Sequence, residues 1–328
     1  MKIILIGTDK FAIPSFKLLI QNSGKGNNPS EYSVPLIITQ PDRPAGRSKQ
    51  LTSPDVKTGL KSIAEVKNIK ILQPEKIKDH VDEILEYNPE LIFVCAYGQM
   101  IPTKLLDIPK LGAVNLHGSL LPKHRGAVPV EMAILCGDKE TGVSLLQMTP
   151  GLDDGAVLAE RAEQILPEDD APILRERLSE KGAELLEQTL PKLLEGKLDP
   201  IPQEVLSKKL GRKVSYCYST DLSRGKRELN PTAETTEQLL NKVRAFAASG
   251  AWLRVKRNSK ETELIIYKAR LTRNHTAPAG KIIWDKSKKI LSLVCKDGEI
   301  ELLEVQLAGK KRSAGRDYQF LDGSFFFT

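Results

Sequence analysis

The first two hundred residues predict an α/β fold on a mostly parallel sheet, and the remainder predicts a small β-rich module. Three observations carry this reading. Short apolar runs alternate with amphipathic ones as far as about residue 200. One of them, Leu91–Ala96 (LIFVCA), is continuously apolar, as a strand buried on both faces of a sheet must be. Beyond Asp199-Pro200-Ile201-Pro202 the texture changes to closely spaced strand-like runs broken by turn signals such as Lys296-Asp297-Gly298.

In chain order, Lys2–Ile6 is a β-rich run ending at Gly7, and Pro14–Ile20 places apolar residues at helical spacing. The polar stretch Asn22–Ser33 is a surface loop. Pro35–Thr39, Leu91–Ala96, Ala113–His117 and Val143–Met148 are strands, and Val130–Leu135 and Leu174–Leu194 are helices. This is a Rossmann-like order of elements. After the exit at Asp199–Pro202, Asn230-Pro231-Thr232-Ala233-Glu234 marks a helix start, with Thr236–Phe246 as the helix. Five strand candidates follow: Trp252–Val255, Glu263–Lys268, Lys281–Trp284, Ile290–Val294 and Glu299–Val305. They suggest a small, OB-like barrel, an architecture that often binds nucleic acid. The chain thus divides into a first domain over 1–200, a linker over 201–220 and a second domain over 221–328.

A length of 328 residues suits about two domains and a sizeable core. Hydrophobic and charged fractions of 40% and 28% exclude fibrous and wholly disordered classes. No stretch approaches the ~18 apolar residues of a membrane span. The N-terminal MKIILIGTDK reads as a first strand rather than a signal peptide. Cys95, Cys136, Cys217 and Cys295 are widely spaced, as expected of buried thiols in a reducing, cytoplasmic setting without structural zinc. Asn274-His275-Thr276 spells a glycosylation acceptor, an accident of a loop on this reading.

Charge separates the two parts. Residues 1–200 carry 24 basic and 28 acidic side chains, whereas residues 201–328 carry 25 and 14, a net of +11. So basic a surface attracts polyanions, although lysines also serve plain solubility. The turn after the first strand, Ile6-Gly7-Thr8-Asp9-Lys10-Phe11-Ala12, has one glycine where a dinucleotide fingerprint needs three, and no GxxxxGK[ST] pattern occurs. Dinucleotide and ATP sites are therefore discounted.

The segment Val114-Asn115-Leu116-His117-Gly118-Ser119-Leu120-Leu121-Pro122 carries chemistry. Asn115 and His117 are two apart, so a strand puts them on one face. Glycine and proline follow, which places the pair at the strand's carboxyl end, where open α/β sheets bind ligands. An amide can donate to a developing oxyanion and an imidazole can shuttle a proton. Gln147-Met148-Thr149-Pro150-Gly151-Leu152-Asp153-Asp154-Gly155 is a second strand running into an acidic loop, and its Asp153 could orient His117. Taken singly, the first is commonly a turn amide with a capping imidazole and the second a plain turn.

Together they resemble the 10-formyltetrahydrofolate-dependent formyltransferases: Asn-x-His, then Ser-Leu-Leu-Pro, then Gly-Leu-Asp-x-Gly, with 38 positions between Asn115 and Asp153. The resemblance is greatest to the members acting on methionyl-tRNA, and it covers nearly the whole chain. Thr39-Gln40-Pro41-Asp42-Arg43-Pro44-Ala45-Gly46-Arg47 resembles their tRNA-contacting loop, Ala96-Tyr97-Gly98 the strand end beside their folate pocket, and Ala308-Gly309-Lys310-Lys311-Arg312 a segment of their C-terminal domain. The resemblance implies Asn115, His117 and Asp153 as catalytic residues. It implies Tyr97, Gly98, Ser119, Leu120, Leu121 and Pro122 beside folate, and Arg43, Arg47 and Lys49 on tRNA. It further implies 10-formyltetrahydrofolate as co-substrate, initiator methionyl-tRNA as partner, and no metal, nucleotide cofactor or membrane. A monomer is expected, because an RNA-sized partner needs open surface. Mobility is expected at Gln40–Leu51, a polar projecting loop. His124, between Lys123 and Arg125, reads as a solvated loop residue. Where the family more often has Gly-Thr-Pro-x-Phe, this chain has Gly7-Thr8-Asp9-Lys10-Phe11, which should loosen the turn. Two alternatives remain: formyl transfer to another acceptor or hydrolysis of the folate, and an RNA-binding protein on a catalytically dead scaffold.

Overall fold

The computed structural model describes residues 1–24, 31–45, 50–257, 260–272 and 277–326. They form two units. One comprises Met1–Pro129, Thr141–Glu163 and Arg175–Cys217; the other comprises Val130–Glu140, Gln164–Leu174 and Tyr218–Thr328.

The first unit is built on seven strands: β1 (Lys2–Gly7), β2 (Ser33–Ile38), β3 (Lys70–Leu72), β4 (Leu91–Cys95), β5 (Ala113–His117), β6 (Glu140–Gln147) and β7 (Val157–Gln164). Their order is β7-β6-β5-β4-β1-β2-β3. The β1–β2, β1–β4, β2–β3 and β4–β5 pairs are parallel, and β5–β6 is antiparallel. Every residue of β4 is buried, as its unbroken apolar run requires. Helices α1 (Ile13–Asn22), α2 (Asp55–Val66) and α3 (Ala171–Leu194) accompany the sheet. In α2, Val56, Leu60 and Ala64 are buried at a spacing of four, one apolar stripe amid lysines. Strand β7 (VLAERAEQ) is a polar edge strand without the apolar run that reveals the central ones.

The first turn is held rather than loosened by its aspartate. Asp9 caps the short 3-10 turn Lys10–Ala12 by accepting from the Phe11 N–H at 2.9 Å, and it pairs with Arg175 at 3.6 Å. Within residues 201–220, expected as a linker, lie helix α4 (Gln203–Leu210) and the short strand Tyr216–Cys217. That strand runs parallel to Arg125–Gly126.

In the second unit, helix α5 (Thr236–Ala245) opens on a capping box. The Thr235 hydroxyl accepts from the Gln238 N–H, and the Gln238 side chain accepts from the Thr235 N–H. Asp297 adds to the helix start by accepting from both the N–H and the hydroxyl of Thr236 at 2.7 Å. These contacts, the hydroxyl first, hold its carboxyl below the usual range. Strands β8 (Ala251–Arg257), β9 (Lys260–Leu271), β10 (Ile282–Asp285), β11 (Ile290–Val294), β12 (Glu299–Leu307) and β13 (Phe325–Phe326) follow in spatial order β10-β11-β12-β9-β8-β13. A Lys281–Phe325 bridge joins the two ends of that order and closes the barrel. Leu239 and Val243 of α5 share its core with Leu253, Ile266, Leu293 and Ile300.

Among the described residues, no helix is long and apolar enough to cross a membrane. Cys95, Cys217 and Cys295 are buried, but Cys136 is exposed, contrary to the expectation of four buried thiols. Gly7 stands where β1 passes β4. A Cβ there would lie 2.5 Å from the Cys95 carbonyl oxygen and 2.8 Å from Phe16 Cζ. Gly7→Ala is therefore expected to destabilise the protein by about 1–3 kcal/mol, the usual effect of overpacking. A lower urea midpoint at unchanged m-value would show it.

Candidate functional site

Strand β5 fixes two of the three chemical residues. Its period of two sends Asn115 and His117 to one face, and pairing with β4 (Val94 opposite Asn115) and β6 (Ser144 opposite His117) sets their height. Asp153 arrives on the loop between β6 and β7, with backbone in the left-handed region at φ +47°. Its carboxylate is the hub. Oδ1 accepts from Asn115 Nδ2 at 3.2 Å, and Oδ2 accepts from the Gly126 N–H at 2.8 Å and lies 3.5 Å from His117 Nδ1.

Both nitrogens of His117 are engaged. Nε2 meets the His124 carbonyl at 2.9 Å. A carbonyl only accepts, so this nitrogen carries a hydrogen, and Nδ1 is the nitrogen that faces the Asp153 carboxylate. The imidazole is 5% exposed and the carboxylate 15%, so the pair is shielded from bulk water yet reachable. The Asn115 amide keeps one N–H and its carbonyl oxygen without a hydrogen-bond partner among the described residues. Glycine is needed at position 126: its φ is +118°, and a Cβ would stand 2.0 Å from the Cys217 carbonyl oxygen.

The Ser119–Pro122 segment is a tightly braced turn. Ser119 Oγ donates to the Lys123 carbonyl at 2.6 Å. Ser144 Oγ donates to the Ser119 carbonyl at 2.7 Å and accepts from the Leu121 N–H at 3.2 Å. The Leu121–Pro122 peptide is cis. Leu121 is fully buried with Leu146, Val157 and Leu206, and Leu120 is 4% exposed, so both leucines pack into the protein. Tyr97 also sits in a core cluster, with Ile4, Ile6, Leu36 and Val94. Its hydroxyl is buried without a hydrogen-bond partner among the described residues, and burial pushes its pKa up to about 12. Its carbonyl accepts from Thr8 Oγ1 and Gln40 Nε2, while Gly98 takes φ +86°.

Arg43 lies on the short hairpin Arg43–Ala45/Gln50–Thr52 and pairs with Glu75 at 2.6 Å, an exposed contact of little energetic weight. The hairpin's base is anchored. Gln73 donates to the Gln40 carbonyl and to Asp42, and Lys57 pairs with Asp42 at 2.8 Å. Gln73 first, then Lys57, hold the Asp42 carboxyl below the usual range. Arg47 and Lys49 lie outside the described residues, and with them most of the question of loop mobility; so does the Asn274–Thr276 triplet. Arg312 is committed to Glu304 at 2.6 Å and to the Tyr267 ring at 3.9 Å.

The structure adds groups that residue types alone could not reveal. His124 is 4% exposed rather than solvated, its carbonyl holds His117, and its N–H donates to Ser215 Oγ at 2.8 Å. The Gly126 N–H on Asp153 is a backbone donor. A glycine after Lys123-His124-Arg125 is its only signal in the sequence. Among the described residues, no group of three or more His, Cys, Asp or Glu side chains is placed to hold a metal.

Residues 1–190 match the formyl transferase family and residues 226–320 match the formyl transferase C-terminal domain, so the chain belongs to the formyl transferase family. It is 37% identical over 313 residues to a methionyl-tRNA formyltransferase of Enterococcus faecalis, covering 94% of this chain and 92% of that one. It is 34% identical over 322 residues to the one from Caldanaerobacter subterraneus subsp. tengcongensis, covering 97% and 96%. Among solved structures, a sugar 3N-formyl transferase determined with dTDP and 5-N-formyl-THF aligns with a TM-score of 0.63 at 20% identity, covering 95% of this chain and 99% of that one. HypX from Aquifex aeolicus, in complex with tetrahydrofolic acid, aligns at 0.61 and 17%, covering 97% and 46%. At such identities the two structures speak for the fold.

Since the Tyr97 hydroxyl is buried without a partner among the described residues, Tyr97→Phe should leave the protein as stable or raise its stability by up to about 1 kcal/mol. Chemical unfolding of the two proteins side by side would test this.

Proposed function

We propose that this chain transfers the formyl group of 10-formyltetrahydrofolate to the α-amino group of initiator methionyl-tRNA. The observation that carries the chemistry is the convergence of Asn115, His117 and the Gly126 N–H on the carboxylate of Asp153, at the carboxyl end of a central strand. The tRNA acceptor is supported by relatives of that name along nearly the whole chain and by the net charge of +11 beyond residue 200.

The amine attacks the formyl carbon, a C–N bond forms, and negative charge develops on the former carbonyl oxygen. The open N–H of Asn115 donates to that oxygen. In this mechanism His117 acts with both ring nitrogens protonated: Nδ1–H is the second donor, and reaching the oxygen takes it away from Asp153. The ammonium proton released on attack passes through Asp153 or water to N10, whose bond to the formyl carbon then breaks. Tetrahydrofolate leaves with one proton gained, and the amine has exchanged one hydrogen for the formyl group. The braced Ser119–Pro122 turn and the Tyr97–Gly98 strand end form the folate side of the site, chiefly through backbone groups. Arg43, Arg47 and Lys49 meet the tRNA, the Arg43–Glu75 pair giving way at little energetic cost. The reduced cysteines fit a cytoplasmic enzyme, and the reading is of a monomer.

Loss of one oxyanion donor costs roughly 3–4 kcal/mol in acyl transfer. Asn115→Ala and His117→Ala are each expected to lower kcat by about 10²–10³-fold in folded protein. Near-normal turnover in either would remove that residue from the mechanism. With 10-formyltetrahydrofolate, initiator methionyl-tRNA should be formylated and elongator methionyl-tRNA should not. Bound folate with neither tRNA formylated would point instead to another amine, such as the amino sugars of the fold's other users.

A further inference from the structure

We propose that Gln203 is a positioning residue for formyl transfer, its side-chain amide holding the Asp153 loop and Arg125 in register so that the carboxylate meets Asn115 and His117. This rests on the role given above to Asp153. Gln203 opens helix α4 and is 1% exposed. Its Nε2 donates to the carbonyls of Asp153 at 2.8 Å and Gly155 at 2.7 Å. Its Oε1 accepts from Arg125 Nε at 2.9 Å and Nη2 at 2.8 Å. All four hydrogen-bonding positions of the amide are thereby filled. Its orientation is forced, because two carbonyls can only accept and a guanidinium can only donate.

What the amide joins gives it a catalytic meaning. On one side is the backbone of Asp153 itself, held in the left-handed conformation that residues with a Cβ seldom adopt unless surrounding contacts enforce it. On the other is Arg125, which stands between the two backbone groups that complete the site. The preceding carbonyl, of His124, holds His117 Nε2, and the following N–H, of Gly126, donates to Asp153 Oδ2. One buried amide thus clamps the segments supplying both ends of the His117–Asp153 contact.

The clamp is itself anchored. Ile201 and Val157 exchange backbone hydrogen bonds at 2.9 Å, Leu206 packs with Leu121, Leu146 and Val157, and Arg125 also donates to the Tyr216 hydroxyl at 3.2 Å. Gln203 therefore passes the rigidity of the sheet edge to the loop that carries Asp153.

Two variants separate positioning from mere support. Gln203→Met keeps the length and removes every hydrogen bond. Gln203→Glu keeps the acceptors for Arg125, and with them the packing, but turns an oxygen toward the two carbonyls. Displacement of a catalytic group by about 1 Å can cost on the order of 10²-fold in rate. Both variants should lose kcat on that order, per folded molecule counted by circular dichroism, with KM for folate and for methionyl-tRNA nearly unchanged. In the Asp153→Asn background the Gln203 substitutions should cause little further loss. If Gln203→Glu folds and keeps full kcat while Asp153→Asn is inactive, Gln203 does not position the site and this inference falls alone. Were Asp153→Asn itself fully active, the catalytic reading would fail with it. A Gln203→Glu enzyme with raised KM and normal kcat would also overturn the proposal, since it would assign the amide to binding.

Discussion

A carboxylate that is 15% exposed has lost most of its water and must recover that solvation from the protein. Asp153 recovers it from Asn115 on a central strand, the Gly126 N–H on a turn, and His117 two residues along the strand from Asn115. None of these donors neighbours Asp153 in sequence, so the need to satisfy one charge ties together the strand, the turn and the loop between β6 and β7. Each part then carries its own constraint. Residue 126 must lack a Cβ, Asp153 must accept a left-handed backbone, and β5 must hold its register between β4 and β6. A one-residue slip of β5 would turn both side chains to the opposite face of the sheet.

The same constraint explains what could be read from residues alone. The buried strands are continuous apolar runs, so β1, β2, β4 and β5 are legible, as is the helical spacing of α1 and α3. Strand β7 alternates imperfectly and carries Glu160, Arg161 and Glu163, so it presents no such run; α2 spreads three small or medium apolar side chains among lysines. Asn115 and His117 can be placed together because a strand's period is two. Asp153 enters only through the spacing of a compound motif, since nothing local distinguishes it from Asp154. The His124 carbonyl and the Gly126 N–H were beyond reach, because every residue carries such groups and only the chain path aims them. For the same reason residue type alone cannot say whether Leu120 and Leu121 face folate or the core. The contact that settles Leu121 comes from Leu206, eighty-five residues on.

Rigidity and availability are separated within the site. The Ser119 hydroxyl and carbonyl and the Leu121 N–H are spent on bracing the turn, whereas Asn115 retains an N–H and an oxygen without a partner among the described residues. Preorganised donors of this kind contribute most when they need not rearrange as charge develops. Asn115 meets that condition. In the proposed mechanism His117 does not fully meet it, because its Nδ1–H would exchange Asp153 for the developing oxyanion. The exchange is useful in one respect: it leaves Asp153 less neutralised at the moment the attacking amine must shed a proton, so donation by the imidazole and acceptance by the carboxylate reinforce each other.

This local chemistry recognises only a formyl donor and an amine, and nothing in it distinguishes an aminoacyl group from an amino sugar. That agrees with the breadth of the fold, which includes a sugar 3N-formyl transferase. Selection of the acceptor must therefore come from surfaces that the Asp153 hub does not organise. The segregation of charge along the chain is the clearest such feature, with acidic residues in excess before residue 200 and basic ones after. Long-range attraction of a polyanion raises the encounter rate and weakens with salt, while the shielded contacts around Asp153 are screened far less. Acceptor capture and formyl transfer thus respond to different physical variables: salt acts on the first through the basic surface and leaves Asp153 and the two side chains around it nearly untouched.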